Sequence, residues 1–453
     1  MKRRIGVDLG IGSCHKAMVV DENGRSSRPI AIDVSLEGYE RLADLAIGCA
    51  ARCRSEVVME PTGNMWLPLA AFLNSRGVPV VMGTGKKVSD LRKFYRRHAK
   101  TDIVDAETMA RLPGVDPKGS HTFEIPPIEV LSLRRLVKQR ERFVRQSMVC
   151  KVRIHALLQL ANPALMESLG EVKFSSVARV MLRHFVDPAT VVDLGLKRFK
   201  QSVRRHKTRA GEEIMDRIFA ACEKSSALYR DLRKSGSLPF DYQLLAEEIR
   251  AELDMMEYAE TLVASMERVI DTRYQQLDPA QTLRQIPGIG PTIAPAIEAL
   301  SSSISRFRNA KAYAGYCGFV PRKSKSGKSD HQGLPITKAS HRLLKKYYYL
   351  AAEIARRNDP ELAAYYEAHT AAGWHHERIV IAIAHALVRR VYALLRRRED
   401  AELSAIENAK PVGYEIRTPD GKILDRKAAR AYVAEQYPSK RARATCHDAE
   451  PQR

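Results

Sequence analysis

The stretch Arg4-Ile-Gly-Val-Asp8-Leu-Gly-Ile-Gly12 decides the fold of the first part of the chain. Its alternating apolar residues predict a strand, and the glycines that follow allow a tight bend before the chain returns along Ala17-Met-Val-Val20. Asp8 stands near the end of the first strand, where a carboxylate can approach a metal ion or a phosphate closely. An aspartate that only opens a turn would have the same local sequence, so both interpretations stay open.

Strands and helices alternate after this hairpin. The pattern predicts a helix from residue 36 to about residue 53, a strand over residues 56–60, a helix entered through Pro61-Thr-Gly63, and a strand over residues 78–82. The order β-β-α-β-α-β is typical of an α/β domain whose functional site lies along the strand edges.

Acidic residues mark that expected site. Glu60 ends a predicted strand, as Asp8 does, and Asp102 and Asp105 are spaced three residues apart, so they share one face if they are helical. Four converging carboxylates repel one another and raise their pKa values unless a cation neutralises them. That cation can be an arginine or a divalent metal, and the sequence alone leaves both possible.

A basic segment lies between the last predicted strand and the acidic pair. Such a helix face is often only solvated, but its position next to the expected acidic site favours contact with a nucleic-acid backbone. Its members are Lys86, Lys87, Arg92, Lys93, Arg96 and Arg97, with Phe94 and Tyr95 interleaved.

Composition indicates a polyanionic partner. The 453 residues include 75 Lys and Arg against 53 Asp and Glu, a net charge of +22, and the length predicts two or three domains. We find no long apolar span and no signal-peptide pattern, so we expect no membrane partner and a cytoplasmic location, on the nucleoid when the protein acts. Seven scattered cysteines without a CxxC motif favour reduced thiols and argue against a zinc site.

The remainder is predicted to be largely helical, which makes the fold class α/β plus all-α. We place an α/β domain at 1–112, a linker at 113–127, a helical coiled-coil domain at 128–282, a mostly helical domain at 283–400, and an appendage with a basic tail at 401–453. Apolar residues from Ile249 to Leu277 alternate steps of three and four, as in a coiled-coil seam. The seam can pair with the predicted helix at 131–160 or can dimerise two chains.

The segment Pro287-Gly-Ile-Gly290 has the pattern of a helix–hairpin–helix turn. In such a turn Gly288 and Gly290 would leave backbone N–H groups free to hold a phosphate of DNA. The same hairpin can also serve only to pack two helices.

Three motifs resemble those of the DEDD-type transposases of bacterial insertion sequences. They are Gly6-Val-Asp8, Met59-Glu60-Pro-Thr-Gly63 and Lys100-Thr-Asp102-Ile-Val-Asp105-Ala. The resemblance implies a RuvC-like, RNase H-like N-terminal domain in which Asp8, Glu60, Asp102 and Asp105 are catalytic and bind metal. All-oxygen ligands of this kind suit Mg²⁺ or Mn²⁺.

A second segment, Gly318-Phe-Val-Pro-Arg322-Lys-Ser-Lys-Ser326-Gly327, resembles the C-terminal domain of the same transposases. The resemblance implies that Ser326 is a nucleophile that forms a phosphoserine link to DNA, with Ser324 as the nearby alternative. The cations Arg322, Lys323, Lys325 and Lys328 would offset the charge of the attacked phosphate.

The resemblance therefore implies a transposase, a serine recombinase that cuts and rejoins donor and target DNA during transposition of an insertion sequence. It also implies a structured guide RNA and a homo-oligomer, dimer or tetramer, whose subunits share active sites. It covers residues 1–110 and 283–400 well and leaves residues 164–240 and 401–453 unaccounted for. Two alternatives remain: a metal-dependent RuvC-like nuclease or Holliday-junction resolvase, and a non-catalytic nucleic-acid-binding protein.

Overall fold

A computed structural model gives the fold. It describes residues 3–48, 55–61, 63–95, 101–117, 120, 122–169, 174–322, 324–326, 329–331, 335–337, 340–403 and 412–438, and the side chains of 167–169, 324–326, 329–331 and 403 are outside this description. Residues 1–127 and residues 128–453 form two compact units, which are taken separately below.

A five-stranded sheet is the centre of the first unit. Its strands are β1 (Arg4–Asp8), β2 (His15–Val20), β3 (Ile30–Ile32), β4 (Glu56–Met59) and β5 (Val80–Met82). The spatial order is β3-β2-β1-β4-β5, and β2 alone runs antiparallel to its neighbours. The predicted mixed α/β architecture of the first part of the chain is confirmed.

Four helices accompany the sheet: α1 (Leu36–Ile47), α2 (Trp66–Ser75), α3 (Gly85–Phe94) and α4 (Asp102–Val115). Threonine side chains cap two of them, because Thr84 accepts from the Lys87 N–H at the start of α3 and Thr101 accepts from the Val104 N–H at the start of α4. Helix α4 runs on through Pro113, so the first residues of the predicted linker are helical. Beyond it, the Phe123 N–H donates to the Val80 carbonyl at 2.6 Å, which ties the end of this segment to β5.

The second unit begins with six helices. They are α5 (Ile128–Ala161), α6 (Pro163–Leu169), α7 (Ser176–His184), α8 (Pro188–Arg205, interrupted at Gly195), α9 (Glu212–Lys234) and α10 (Tyr242–Leu277). Helices α5 and α10 lie antiparallel, since Arg140 pairs with Glu267 and Arg153 pairs with Glu252. The predicted seam on α10, including Ile249, is buried against partners in this chain. The intramolecular alternative for the seam is therefore the one observed.

Two hydrophobic cores stabilise this unit. Helices α6 to α9, which occupy the region that the resemblance left unaccounted for, pack around the far end of the α5–α10 pair. The other core packs around the near end of that pair and contains α11 (Ile293–Ser301), α12 (Ala310–Cys317), α13 (Arg342–Ala355), α14 (Pro360–Ala371) and α15 (His376–Leu403). None of the helices in the described part of the chain is long and apolar enough to cross a bilayer.

Two small hairpins complete the fold. Strands β6 (Ser324–Ser326) and β7 (Ser329–His331) form the first hairpin. Strands β8 (Ile416–Arg417) and β9 (Ile423–Leu424) form the second, which turns at the predicted place, with Gly421 at φ 89°, and leads into α16 (Arg426–Gln436).

A compensated charge cluster joins α15 to the core. Arg398 contacts the carboxylate of Glu298 on α11, and its Nη1 lies 3.4 Å from Oδ2 of Asp278. The side chains of the two acids are 7% and 3% exposed. Burial raises the pKa of Glu298, and the guanidinium of Arg398 opposes that rise. Each buried acid in this cluster therefore has a cation beside it.

Candidate active site and nucleic-acid interface

Three elements of the first unit bring the four predicted acids together. Asp8 ends β1 and Glu60 directly follows β4, and these parallel strands are neighbours with Val7 opposite Met59. The two acids therefore leave the sheet at the same edge. Asp102 and Asp105 occupy the first turn of α4, the helix that packs across β1.

Two glycines allow this close assembly. A Cβ atom at Gly6 would overlap the carbonyl oxygen of Ala106 and lie 2.5 Å from the nitrogen of Ala110, so the backbone of α4 rests directly on β1. A Cβ atom at Gly85 would lie 2.5 Å from Oε1 of Glu60, so the glutamate packs on the start of α3. Sequence reasoning placed Gly6 in a motif but missed the packing role of both glycines.

The assembled acids interact electrostatically. The pKa of Asp8 is raised from 3.8 to about 6, first by burial and then by the charges of Asp102, Asp105 and Glu60. A backbone hydrogen bond from Leu9 offsets part of this rise. The sequence-based expectation that converging carboxylates raise one another's pKa thus holds for Asp8.

An arginine accompanies these acids. Nη1 of Arg92 on α3 lies 2.5 Å from Oδ1 of Asp105, and the two side chains are 15% and 12% exposed. The arginine that the sequence left as one option is therefore present beside one acid. Within the described residues, no three carboxylate, imidazole or thiol groups are arranged as a metal cluster. The donor set itself, made of oxygens only, fits a hard cation such as Mg²⁺.

The predicted basic residues of α3 have different environments. Lys86 and Lys93 are exposed, whereas Nζ of Lys87 lies 2.9 Å from Oδ2 of Asp116 and Arg92 is committed to Asp105. Arg96 and Arg97 lie outside the described residues. Of this set, Lys86 and Lys93 present their charge to solvent.

Ser326 lies at the tip of a β-hairpin. A bridge between Pro321 and Ile336 closes the base of the hairpin, and the Thr337 N–H donates to the Val320 carbonyl at 3.0 Å. Ser326 pairs with Ser329 across the hairpin and is the last residue of β6 before the turn. Ser326 is therefore a strand residue beside the turn of this hairpin.

The cations of this hairpin are described in part. Arg322 is exposed, and its N–H donates to the Pro335 carbonyl at 3.3 Å. Lys325 lies in β6 opposite Asp330, although its side chain is not described. Lys323 and Lys328 lie outside the described residues.

The two glycines of the predicted helix–hairpin–helix turn, Gly288 and Gly290, have different surroundings. Gly288 is buried with φ 90°, and a Cβ atom there would overlap the carbonyl of Ala351 and lie 2.9 Å from Cβ of Ala355 on α13. A Cβ atom at Gly290 would meet no atom within 4 Å. Gly288 thus packs helices, whereas Gly290 faces open space just before α11.

Two family models match this chain. A DEDD transposase model named for IS110 matches residues 5–163, which include the four acids. A model described as Transposase IS116/IS110/IS902 family matches residues 280–367, which include Ser326.

Full-length relatives agree with these matches. An uncharacterized 44.8 kDa protein of insertion element IS116 from Streptomyces clavuligerus is 24% identical and covers 86% of this chain and 94% of its own length. An uncharacterized 43.6 kDa protein of insertion element IS110 from Streptomyces coelicolor is also 24% identical, over 80% of this chain and 85% of its own length.

One solved structure similar to the chain is T. thermophilus RuvC in complex with a Holliday junction substrate, at 15% identity and a TM-score of 0.21, over 27% of this chain and 100% of that one. A score of this size does not establish a shared fold. The family assignment rests instead on the two models, which match both ends of one transposase architecture, and on relatives that align over most of their length. The chain belongs to the IS110/IS116 family of insertion-sequence DNA transposases.

Proposed function

We propose that this transposase cuts and rejoins DNA strands through a phosphoserine intermediate on Ser326, assisted by metal-bound carboxylates. The observation that carries the proposal is the convergence of Asp8, Glu60, Asp102 and Asp105 on one edge of the sheet. Bringing acids close together is unfavourable unless a cation neutralises them, so the arrangement suits a site that operates with bound metal.

The four acids would hold Mg²⁺ or Mn²⁺. When bound, the metal would stabilise negative charge on the oxygens of a phosphodiester. Asp8 and Glu60 on fixed strand ends would position it, while Asp105 would have to exchange Arg92 for the metal. A donor set made only of oxygens supports this assignment over zinc.

Ser326 would supply the covalent step. Its Oγ would form an ester bond to phosphorus as a P–O bond of the strand breaks, and the leaving DNA oxygen would take up the proton of the hydroxyl. Attack by another DNA hydroxyl on this phosphoserine would reverse the chemistry and join new strands. The energy of the phosphodiester is thereby kept, which distinguishes recombination from hydrolysis by a nuclease.

Trapping tests this step. The protein is incubated with labelled DNA that carries the ends of its element, together with Mg²⁺, and quenched in SDS. We expect a protein–DNA adduct that is absent for Ser326→Ala and present for the matched variant Ser324→Ala. Strand exchange that persists in Ser326→Ala would overturn the serine mechanism, and cleavage without rejoining or adduct in the wild type would favour the metal-dependent nuclease.

We also infer guidance by a structured RNA. The support is the net charge of +22, which is compatible with binding both DNA and RNA, together with the family membership. RNA that co-purifies with the full chain should be one discrete species encoded beside the gene. A random sample of cellular RNA would contradict this inference.

A homo-oligomer, dimer or tetramer, with shared active sites is the last part of the proposal. The α10 seam is used within the chain, so assembly would use other surfaces. Mixing Glu60→Gln protein with Ser326→Ala protein should restore adduct formation if acids and serine from different subunits act together. An inactive mixture would show that each subunit works alone.

A further inference from the structure

Two arginines converge on the C-terminal end of α11. Nε of Arg134 on α5 donates to the Ala299 carbonyl at 2.9 Å, and its Nη2 contacts the Ser302 hydroxyl. Nε of Arg306 donates to the Ser301 carbonyl at 3.1 Å. The last carbonyls of a helix lack partners and carry partial negative charge, which explains why guanidinium groups are held there.

A tyrosine connects this pair to a histidine. The guanidinium carbon of Arg306 lies 4.7 Å from the ring centroid of Tyr316, and the His341 ring lies 5.6 Å from the same ring. The backbone N–H of His341 donates to the Tyr316 carbonyl at 3.1 Å. Lys138 follows Arg134 by one helical turn and lies on the same face of α5. We call Arg134, Lys138, Arg306 and His341 the α11-end cluster.

In the described part of the chain, no carboxylate pairs with this cluster. Among the described residues, none of its four members forms an ion pair, whereas Arg140, Lys151 and Arg153 farther along α5 all pair with acids of α10. Burial and then the charge of Arg134 lower the pKa of Lys138. The cluster differs in this respect from the three paired cations farther along the helix.

His341 is suited to donate a hydrogen bond. Burial and then the charges of Lys138 and Arg134 lower its pKa to about 4, so the ring is neutral at pH 7. Its Nδ1 accepts from the Leu344 N–H at 3.3 Å, capping α13. The remaining ring proton therefore lies on Nε2, where it can be donated to an acceptor oxygen.

The cluster lies at the base of the Ser326 hairpin. Tyr316 comes four residues before Val320, and His341 comes four residues after Thr337. Val320 and Thr337 are joined by the backbone hydrogen bond that closes the hairpin, and Nζ of Lys345 donates to the Thr337 carbonyl at 2.7 Å. A ligand on the cluster would therefore lie beside the strands that lead to Ser326.

We propose that the α11-end cluster binds a backbone phosphate of DNA at the base of the Ser326 hairpin. This inference rests on the proposed function. It assigns a contact with the DNA substrate to residues that lie outside the acidic site and outside the Ser326 hairpin. Capping of α11 accounts for Arg134 but not for Lys138, for the other N–H groups of Arg306 or for Nε2 of His341. A lysine charge, an arginine fork and a neutral donor together match the oxygens of a phosphate.

Salt-dependent binding tests the proposal. Lys138→Gln/Arg306→Gln is compared with Lys224→Gln/Arg230→Gln, a matched pair of exposed cations on α9, both in full-length Ser326→Ala protein. The probe is fluorescein-labelled duplex DNA, and affinity is measured by anisotropy as KCl is raised. Losing the contact with this one phosphate should lower the slope of log K against log[salt] by about 0.9, with a smaller change for the control pair. Equal slopes in the two double variants would overturn the proposal.

His341→Asn separates binding from structure. Asparagine keeps an acceptor for the helix cap but loses the Nε2 donor, so we expect unchanged thermal stability and DNA binding weakened by about 3-fold to 10-fold. Unchanged DNA affinity, or a loss seen with duplex RNA alone, would refute the proposed DNA contact. Because the assay needs no metal or serine chemistry, it can succeed even if the adduct experiment fails.

Discussion

The acidic site of the first unit and the α11-end cluster of the second gather like charges in opposite ways. In the first, four carboxylates interact electrostatically, Arg92 pairs with Asp105, and the pKa of Asp8 rises to about 6. In the second, three cations lie near a histidine without a carboxylate partner among the described residues, and the pKa of His341 falls to about 4. The Arg398 cluster, with a cation beside each buried acid, shows what a balanced structural arrangement looks like in this protein. The difference indicates which ligand charge each unbalanced site lacks: a cation in the first and an anion in the second.

The largest expected effect comes from the acidic site. Glu60→Gln removes one negative charge from the proposed metal site and should lower DNA cleavage by about 10³-fold or more while leaving DNA affinity unchanged. The cleavage rate is measured with labelled DNA in Mg²⁺, and the DNA affinity is measured by fluorescence anisotropy. Glu40→Gln, which removes an exposed acid paired with Arg76, should keep full cleavage. Equal activity of the two variants would remove Glu60 from the site.

The balanced cluster should respond through stability. Arg398→Leu leaves Glu298 and Asp278 buried without their cation and should lower the free energy of unfolding by about 3 to 5 kcal/mol in urea titrations. Arg396→Leu breaks only a more exposed pair with Asp400 and should cost less than about 1 kcal/mol. Similar losses would mean that the buried cluster is not as tightly balanced as its geometry indicates.

A smaller effect tests whether Gly288 and Gly290, in the turn at residues 287–290, form a further anion site. Gly288→Ala adds a Cβ atom against α13 at positive φ and should cost about 2 to 3 kcal/mol of unfolding free energy. Gly290→Ala meets no atom and should leave stability within about 1 kcal/mol of the wild type. If Gly290→Ala also weakens DNA binding, the turn at residues 287–290 contacts a phosphate of DNA as well as packing helices.

The smallest effect concerns pH. Folding raises the pKa of Asp8 from 3.8 to about 6, so the folded state holds this proton more tightly, and stability falls as pH rises from about 4 through 6. In metal-free protein above pH 6, Asp8→Asn should therefore be more stable than wild type by about 1 to 2 kcal/mol, after discounting for partial exposure of the carboxyl. Thermal unfolding in EDTA at several pH values measures this. A wild type that is more stable than the variant at pH 7 would contradict it.

Much of the fold was predictable because local patterns determine it. Strands β1, β2, β4 and β5 and the long helices α5, α10 and α15 follow apolar periodicity that is visible in sequence. Strand β3 was missed because Ile30–Ile32 is too short to show a period. Helix α1 was predicted to extend to about residue 53, but it ends at Ile47, with Gly48 as its C-cap. Residues 49–54 lie outside the described part of the chain.

The candidate sites were predictable to different degrees. The acids stand at strand ends and a helix start, positions that a sequence pattern marks, and the resemblance to known motifs identified Ser326. The α11-end cluster brings together residues between positions 134 and 341 of the sequence. What distinguishes it is that no described carboxylate pairs with its cations. Which distant charges meet depends on tertiary packing, which no local pattern reports. The seam of α10 was equally ambiguous, because its apolar spacing fits a partner helix in the same chain or in another.

The ion pair between Arg92 and Asp105 would couple the proposed metal to the DNA substrate. A metal that took Asp105 would release Arg92, and a DNA phosphate that took Arg92 would release Asp105. Each ligand would then remove part of the cost of binding the other, and thermodynamic linkage requires such a coupling to be reciprocal. Free protein should load metal poorly and load it readily once DNA is present. Such an arrangement would restrain strand cleavage until a substrate is in place, a useful property for an enzyme that shares its cell with an entire chromosome.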